Sequence, residues 1–198
     1  PAYLYLQITR GVGVPRSDIY PKLVKPTVLI TVTHAPILKR DEITPYRMVM
    51  KNDFRWGRGD IKVTSLMANG LLKNEALKEG YDDALLFRNG ELTESTSSNV
   101  FIVEEGLVRT PPKSKFLLHG ITRDHIIRLL CLNDVPFEER KISRNEVRSA
   151  DEIWVTSTGR ELWPVGEVNG VLIGNGYPGI LWEKVNALFQ EFKNSRKQ

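Results

Sequence analysis

The chain of 198 residues has little that could build a metal site or a membrane anchor: one cysteine, three histidines and no long apolar run. The single cysteine, Cys131, excludes an internal disulfide and a cysteine-built zinc site, so we expect no bound metal. No run approaches the roughly 20 apolar residues that span a bilayer, so we expect no membrane partner. Cys131 lies among leucines and isoleucine, which predicts a buried core thiol, and this cysteine usage fits a cytoplasmic location.

The chain also has little excess of charge of either sign. Lys and Arg number 28 and Asp and Glu 24, which gives a net charge of +4 spread along the chain. Proteins that bind nucleic acid usually carry a concentrated basic patch, so we expect no nucleic-acid partner. With 41% apolar and 26% charged residues, the composition is that of a globular protein and excludes a disordered or collagen-like chain.

Short runs of β-forming residues separated by turn signals predict a sheet joined mainly by hairpins. Residues 3–10 and 27–33 are rich in aromatic and branched side chains, and the second run is continuous enough to predict a buried strand. Asn89-Gly90, between two apolar runs, is a strong hairpin signal. Turns at residues 104–106 and 169–170 predict two further hairpins.

Helical periodicity recurs between these strands. The helix predicted within residues 63–79 depends on four apolar residues at helical spacing, Leu66, Met67, Leu71 and Leu77. Residues 121–132 and 181–192 predict two more helices, and Ser143 opens a capping-box pattern that predicts a short one. Mixed strands with helices packed on them predict an α+β fold rather than a doubly wound one.

Lys62 stands at the end of an irregular segment, just before the first predicted helix. Most lysines are solvated surface residues, and this one has no local feature that excludes that role. The functional interpretation is a lysine in a cleft, where desolvation and the nearby Arg55 or Arg58 lower its pKa and make the amine a nucleophile for Schiff-base chemistry.

Glu94 is the one carboxylate in residues 92–100, a hydroxyl-rich stretch between two predicted strands. Composition alone favours a solvated loop. If Glu94 is buried, however, it needs a cationic partner or several hydrogen-bond donors to stay ionised.

Residues 118–123 predict the start of a helix, where free N–H groups and the helix dipole can bind a phosphate. The alternative is a simple threonine cap. The hydroxyls of residues 156–158 lie at the end of a strand predicted for residues 152–156 and form either a turn or part of the same site. We expect His119 to be a surface or hydrogen-bonded histidine rather than a catalytic one.

Taken in order, these motifs resemble the fold-type IV enzymes that depend on pyridoxal phosphate: D-amino acid aminotransferases, branched-chain aminotransferases and aminodeoxychorismate lyases. The resemblance rests on Lys62 after Asp-Ile, on residues 93–101, on Gly-Ile-Thr-Arg at 120–123 and on Thr-Ser-Thr at 156–158. It covers almost the whole chain. Arg55-Trp56 and Pro15-Arg16 make it most similar to the D-amino acid aminotransferases.

The resemblance implies a role for each motif. Lys62 would be the Schiff-base lysine that also carries the substrate's α-proton, and Glu94 would face the pyridine nitrogen with Arg55 behind it. A negative partner keeps that nitrogen protonated, so the ring can accept electrons. The other implied cofactor-binding residues are Ser98, Asn99, Leu118, Gly120, Ile121, Thr122, Ser157 and Thr158. Arg16 would receive the substrate carboxylate.

Some features depart from the family pattern. Asp18 stands where these enzymes usually have a histidine, and Val63 replaces the usual serine after the lysine. The family's small N-terminal domain, which supplies another arginine and a tyrosine, is mostly absent from this sequence. We therefore expect residues 1–34 to be the end of a truncated small domain, 35–45 a linker, and 46–198 the large domain, a mixed β pseudo-barrel with flanking helices.

The resemblance predicts transamination between D-alanine, or another D-amino acid, and a 2-oxo acid by a homodimer that binds pyridoxal 5'-phosphate. Two enzymes of the same fold remain alternatives, an aminodeoxychorismate lyase and a branched-chain L-amino acid aminotransferase. A different class also remains open: a truncated remnant that holds the cofactor but cannot turn over without its first domain.

Overall fold

The structure of this chain is a computed structural model that describes residues 2–15, 17–20, 22–35 and 42–195. Contacts divide the chain into two compact units, Pro1–Ile43 and Thr44–Gln198. Most of the predicted linker at residues 35–45 lies outside the described residues. The domain boundaries drawn from the sequence therefore stay a prediction.

The first unit contains a two-stranded antiparallel ribbon. Strand β1 (Ala2–Thr9) pairs with β2 (Thr27–His34) along its whole length. Both strands are predicted by the sequence, but the predicted burial of residues 27–33 is wrong, because every residue of β2 is exposed. A ribbon of two strands cannot cover its own faces, so the apolar run stays exposed within this unit.

The second unit is built on a mixed sheet. Its strands are β3 (Tyr46–Asn52), β4 (Asp83–Arg88), β5 (Glu91–Ser95), β6 (Asn99–Glu104), β7 (Leu107–Thr110), β8 (Phe137–Glu139), β9 (Glu152–Ser157), β10 (Glu161–Val168) and β11 (Val171–Leu172). Within the described residues the order is β5-β4-β3-β10-β9-β6-β7-β8, with β11 paired to β10. Strand β3 is parallel to both of its neighbours, while most other pairs are antiparallel. The predicted α+β class is confirmed.

The register of this sheet brings distant hydroxyl-bearing segments together. Asn99, the first residue of β6, lies opposite Thr156 near the end of β9. Strand β5 ends at Ser95, only a short turn before β6 begins. Residues 94–99 and 156–158 therefore meet at one end of the sheet.

Three tight turns join antiparallel neighbours, as predicted. Asn89 and Gly90 have φ angles of 53° and 82°, the left-handed pair of a type I′ turn. The same two-residue pattern recurs at Glu105-Gly106 and at Asn169-Gly170. The twist of such turns matches that of the flanking strands, which is why the local sequence is enough to specify them.

Four helices accompany the sheet in the described part of the chain: α1 (Met67–Lys78), α2 (Ile121–Leu132), α3 (Arg144–Ser149) and α4 (Ile180–Ser195). Helix α2 has the predicted bounds. Helix α3 opens with the predicted capping box, in which Ser143 Oγ accepts a hydrogen bond from Glu146 N. Of the helices described, none is both long enough and apolar enough to cross a bilayer.

Helix α1 begins at Met67, four residues later than the predicted range. The apolar residues whose spacing predicted it, Leu66, Met67, Leu71 and Leu77, are all exposed. Leu72 and Ala76 are buried instead and pack with residues of β3 and β4. The late start leaves Lys62 on an irregular segment.

The predicted burial of Cys131 is wrong, because the thiol is exposed. Ile126, Leu129 and Leu130 form the buried face of α2. Each residue advances an α-helix by about 100°, so the residue after Leu130 turns away from that face. The apolar neighbours in sequence therefore do not surround the thiol in space.

Candidate active site

A cavity of about 440 Å³ lies in the second unit, beside the ends of β5 and β9 and the start of β6. All eleven residues that the resemblance places around a cofactor line it: Arg55, Lys62, Glu94, Ser98, Asn99, Leu118, Gly120, Ile121, Thr122, Ser157 and Thr158. They come from four separate segments of the chain, so the fold is what brings them together. Arg16, the predicted substrate-binding residue, lies outside the described residues.

Lys62 is carried by an irregular segment that lies close to residues 115–117. A Cβ atom on Gly59 would lie 2.7 Å from the carbonyl oxygen of Phe116, so only glycine permits this approach. Asp60 N donates a hydrogen bond to Lys115 O (3.4 Å). Lys62 lines the cavity with an exposed side chain, rather than the desolvated one that the functional interpretation of the sequence considers.

Glu94 is buried near the end of β5, with 6% of its surface exposed. Its carboxylate accepts hydrogen bonds from Arg55 Nη1 (2.6 Å), Leu118 N (3.0 Å) and Asn99 Nδ2 (3.3 Å). Burial raises the pKa of Glu94 above its ordinary value, and the charge of Arg55 offsets part of that rise. The alternative of a solvated glutamate in a loop is therefore wrong.

The hydroxyl-rich stretch that follows is a compact turn. Ser95 N donates to Ser98 O (2.8 Å), and Ser95 Oγ accepts from Ser98 N (3.0 Å). Thr96 Oγ1 donates to Asp83 Oδ1 (2.6 Å), which ties the turn to β4. These bonds use the hydroxyls of Ser95 and Thr96 for structure and hold Ser98 at the cavity.

The N-terminus of α2 also lines the cavity, and no side chain in the described part of the protein caps it. Gly120 is the N-cap residue, and a Cβ atom there would lie 2.1 Å from Asn99 Oδ1. The alternative of a threonine cap is wrong, because Thr122 lies inside the helix. The first-turn N–H groups, including those of Ile121 and Thr122, have no partners within the helix, and the dipole adds positive potential. Such a helix end is suited to an anion.

Thr156 is a cavity residue for which the sequence leaves a turn and a site open and to which the resemblance gives no role. It is 2% exposed, and its Oγ1 is buried with no hydrogen-bond partner among the described residues. The neighbouring Ser157 Oγ accepts from Arg160 N (3.2 Å). A buried hydroxyl without a partner is uncommon and marks a place where a bound group can supply one. A run of three hydroxyls gives no signal as to which one lacks a partner.

Asp53 is a second residue that the sequence reasoning missed. It binds Arg55 from the side opposite Glu94, through Nε to Oδ1 (2.9 Å) and Nη2 to Oδ2 (3.0 Å). Burial alone would raise the pKa of Asp53, but the hydrogen bonds and charge of Arg55 outweigh it and lower that pKa. The sequence signal is an Asp-x-Arg spacing, which is too common to indicate a buried pair.

His119 agrees with its prediction as an exposed, hydrogen-bonded histidine. Its Nε2 lies 3.1 Å from Ser114 O, and the residue stands at the rim of the cavity. It is therefore not needed to account for the chemistry of the interior, where Lys62 and Glu94 are the ionisable groups of interest.

A lysine amine, a buried carboxylate and an uncapped helix N-terminus around one cavity define a class of protein with a site for a small anionic molecule. Comparison with known families makes this specific. The profile of the amino-transferase class IV family matches residues 1–168, and the chain belongs to that family.

Relatives in sequence include two enzymes named D-alanine aminotransferase. The protein from Bacillus licheniformis is 36% identical over 189 residues, which cover 94% of this chain and 66% of the relative. The one from Listeria monocytogenes serotype 4b (strain F2365) is 32% identical over 190 residues, with 95% and 66% covered. The chain thus spans slightly less than two thirds of the length of these relatives.

Solved structures show the same fold. The branched-chain amino acid aminotransferase of Escherichia coli matches with a TM-score of 0.83 at 26% identity, over 96% of this chain and 65% of that one. An aminotransferase from Brucella abortus, bound to pyridoxal phosphate, matches with a TM-score of 0.85 at 22% identity, over 96% and 68%.

Proposed function

We propose that the protein to which this chain belongs is an aminotransferase that uses pyridoxal 5'-phosphate. The observation that carries the proposal is the meeting of Lys62, Glu94 and the start of α2 around one cavity. The aldehyde of this cofactor requires an amine, its ring nitrogen requires a carboxylate, and its phosphate requires an anion site.

The cavity residues fit this cofactor on grounds of their own. A volume of about 440 Å³ is in the range of small-molecule sites. The uncapped N–H groups of Ile121 and Thr122 line the same cavity as Ser157 and Thr158, and N–H groups and hydroxyls of this kind are suited to a phosphate. The hydroxyl of Thr156, which has no partner among the described residues, gives a further donor or acceptor for a bound polar group.

When bound, pyridoxal phosphate supplies an electron sink that allows a proton to leave the α-carbon of an amino acid. Lys62 would hold the cofactor at its aldehyde carbon. Once the amino group of the substrate has displaced it, its Nζ would be free to take the proton from the α-carbon of the amino donor and, in the second half of the exchange, to give a proton to the α-carbon of the acceptor. Glu94 would keep a proton at the ring nitrogen. Leu118 would lie against the ring, and Ser98 and Asn99 would lie in the loop beside the cofactor.

For the substrate, we propose D-alanine or another D-amino acid as amino donor and a 2-oxo acid as acceptor. Support comes from relatives of that name at 32% and 36% identity. Arg16 would receive the carboxylate of the substrate. A homodimer, which the resemblance implies, and a cytoplasmic location, which the cysteine usage favours, complete the proposal.

A second candidate is transamination of branched-chain L-amino acids, which the 26% identical enzyme of Escherichia coli favours. The two functions separate in one assay of the full-length protein with pyridoxal phosphate and 2-oxoglutarate. We expect amino transfer from D-alanine and little from L-leucine. Preference for L-leucine would support the second candidate. Pyruvate release from aminodeoxychorismate would support a lyase, and no reaction with any of the three would support a remnant that only binds the cofactor.

A further inference from the structure

Behind the cavity, two arginines and two carboxylates form a buried charge cluster, made of Asp53, Arg55, Arg88 and Glu94. Their side chains are 0%, 6%, 18% and 7% exposed, respectively. The formal charges cancel, which lets the cluster exist away from water. Arg55 and Glu94 line the cavity, whereas Asp53 is absent from its described lining and contacts Glu94 only through Arg55.

The hydrogen bonds of Arg55 explain why its guanidinium has one orientation. Asp53 takes Nε (2.9 Å) and Nη2 (3.0 Å) along one edge, and also accepts from the backbone N of Arg55 (3.1 Å). The carbonyl oxygen of Phe116 accepts from Nη2 as well (3.2 Å). The remaining nitrogen, Nη1, donates to Glu94 Oε1 (2.6 Å). A planar guanidinium held along one edge has no freedom to turn Nη1 away.

Asp53 is itself fixed from several directions. Its backbone N donates to Phe87 O (2.7 Å). The single hydroxyl hydrogen of Thr93 has two acceptors within reach, Asp53 Oδ2 (3.0 Å) and Leu86 O (3.1 Å). Arg88 Nη2 lies 3.3 Å from Asp53 Oδ1 and donates to Arg55 O (2.5 Å). Groups on β4 and β5 thus fix the carboxylate of Asp53, which in turn fixes the guanidinium of Arg55.

We propose that Asp53 is a positioning residue, which fixes the Arg55 guanidinium so that Nη1 stays on the carboxylate of Glu94. The inference rests on the proposed function for the task of Glu94 at the cofactor ring. Its structural part, the control of Glu94 through Arg55, does not require a cofactor and can be measured without one.

Two effects of Asp53 on Glu94 have opposite signs, which makes the proposal testable. The negative charge of Asp53 raises the pKa of Glu94, so the loss of that charge alone would lower it. The contact with Arg55 lowers the pKa of Glu94, so the loss of a well-placed Arg55 would raise it. A positioning role predicts that the second effect exceeds the first.

The test is Asp53→Asn in the full-length protein. The amide places a donor against Nε or Nη2 of Arg55, so the guanidinium has to turn. Carbon-13 NMR of glutamate-labelled protein, recorded without pyridoxal phosphate, gives the pKa of Glu94, with Glu94→Gln to assign the signal. We expect that pKa to rise, and in the assay with pyridoxal phosphate we expect kcat to fall by about tenfold with KM little changed. An unchanged or lowered pKa overturns the proposal.

Thr93→Val supplies a milder variant, because it removes the hydroxyl that Asp53 Oδ2 and Leu86 O share and keeps the charge of Asp53. If Asp53→Asn does not fold, Thr93→Val decides the question: a raised pKa of Glu94 supports the proposal, and an unchanged one overturns it. Glu167→Gln is the matched control, since it disrupts another two-point arginine–carboxylate pair, with Arg47 (3.0 and 3.1 Å), outside the cavity lining. It should leave the pKa of Glu94 unchanged. A protein that binds no pyridoxal phosphate would refute the proposed function, yet the NMR result would still decide the role of Asp53.

Discussion

The two sides of the cavity are built in contrasting ways. Glu94 lies near a strand end, 6% exposed, with three hydrogen-bond donors on its oxygens. Lys62 lies on an irregular segment with an exposed side chain, next to Ile61, which is 41% exposed. The contrast agrees with the proposed function, in which Glu94 would only hold a charge in place, whereas Lys62 would bind a cofactor and then carry a proton and would need room to move.

The largest expected loss of activity follows from a change at Lys62, on the exposed side of the cavity. Lys62→Ala should abolish amino transfer, because no other amine lines the described cavity to bind the aldehyde or carry the proton. Since the side chain is exposed, the free energy of unfolding should change by less than about 0.5 kcal/mol. Amino-transfer assays and urea unfolding test both halves. Retention of full activity would remove Lys62 from the mechanism.

A change at Glu94, on the buried side of the cavity, should alter both the activity and the pH dependence of stability. Glu94→Gln should leave pyridoxal phosphate bound but slow proton transfer at the α-carbon by at least about a hundredfold, because the neutral amide cannot hold a proton on the ring nitrogen. Single-turnover kinetics with α-deuterated substrate measure this step. An unchanged rate would mean that Glu94 is not the partner of the ring nitrogen.

The pH dependence of stability has a defined sign for the same variant. The pKa of Glu94 is raised by folding, so the native state binds a proton more readily than the unfolded chain. The stability that follows is present below the unfolded pKa and is lost as pH rises through the folded one. Urea unfolding across that range should show a loss of stability with pH that Glu94→Gln removes.

A smaller effect is expected at Thr156, where the hydroxyl has no described partner. Thr156→Val should weaken pyridoxal phosphate binding by about threefold to tenfold, the worth of one hydrogen bond. Stability without cofactor should stay the same or rise, since a buried unpaired hydroxyl is removed. Thr110→Val is the matched control, because that hydroxyl donates to Val100 O (2.7 Å) and its loss should lower stability. Equal cofactor affinity in Thr156→Val and the wild type would show that the hydroxyl is not used.

The smallest effect is expected far from the cavity, at the cap of α3. Arg140 and the Ser143 backbone lower the pKa of Glu146 to about 2. Its stabilisation is present above the unfolded pKa and is lost as pH falls towards the folded value. Glu146→Gln should cost less than about 1 kcal/mol at neutral pH, because the pair is largely solvated. Thermal unfolding at pH 7 and pH 3 should show a smaller difference between variant and wild type at the lower pH.

Sequence reasoning was sufficient where the signal is local. The turns at Asn89-Gly90 and Asn169-Gly170, the bounds of α2 and the cap at Ser143 each depend on a few adjacent residues, and each is present. The resemblance names eleven residues for a cofactor site, and the fold brings all of them to one cavity.

The sequence was insufficient where burial depends on distant partners. The apolar residues of α1 gave the helix but not its buried face, and the leucines around Cys131 did not enclose it. Asp53 and Thr156 carry no local mark either. Asp53 becomes notable only when Arg55 is seen to bridge it to Glu94, and Thr156 only when its hydroxyl is found without a partner.

The most direct test of the account is the visible absorption spectrum of the full-length protein with pyridoxal phosphate, before and after borohydride, followed by peptide mass mapping. Lys62→Ala serves as the control. The account predicts a yellow protein whose cofactor becomes fixed to Lys62 on reduction, and no fixed cofactor in the variant. A colourless protein that takes up no pyridoxal phosphate, or a cofactor fixed to another lysine, would contradict it.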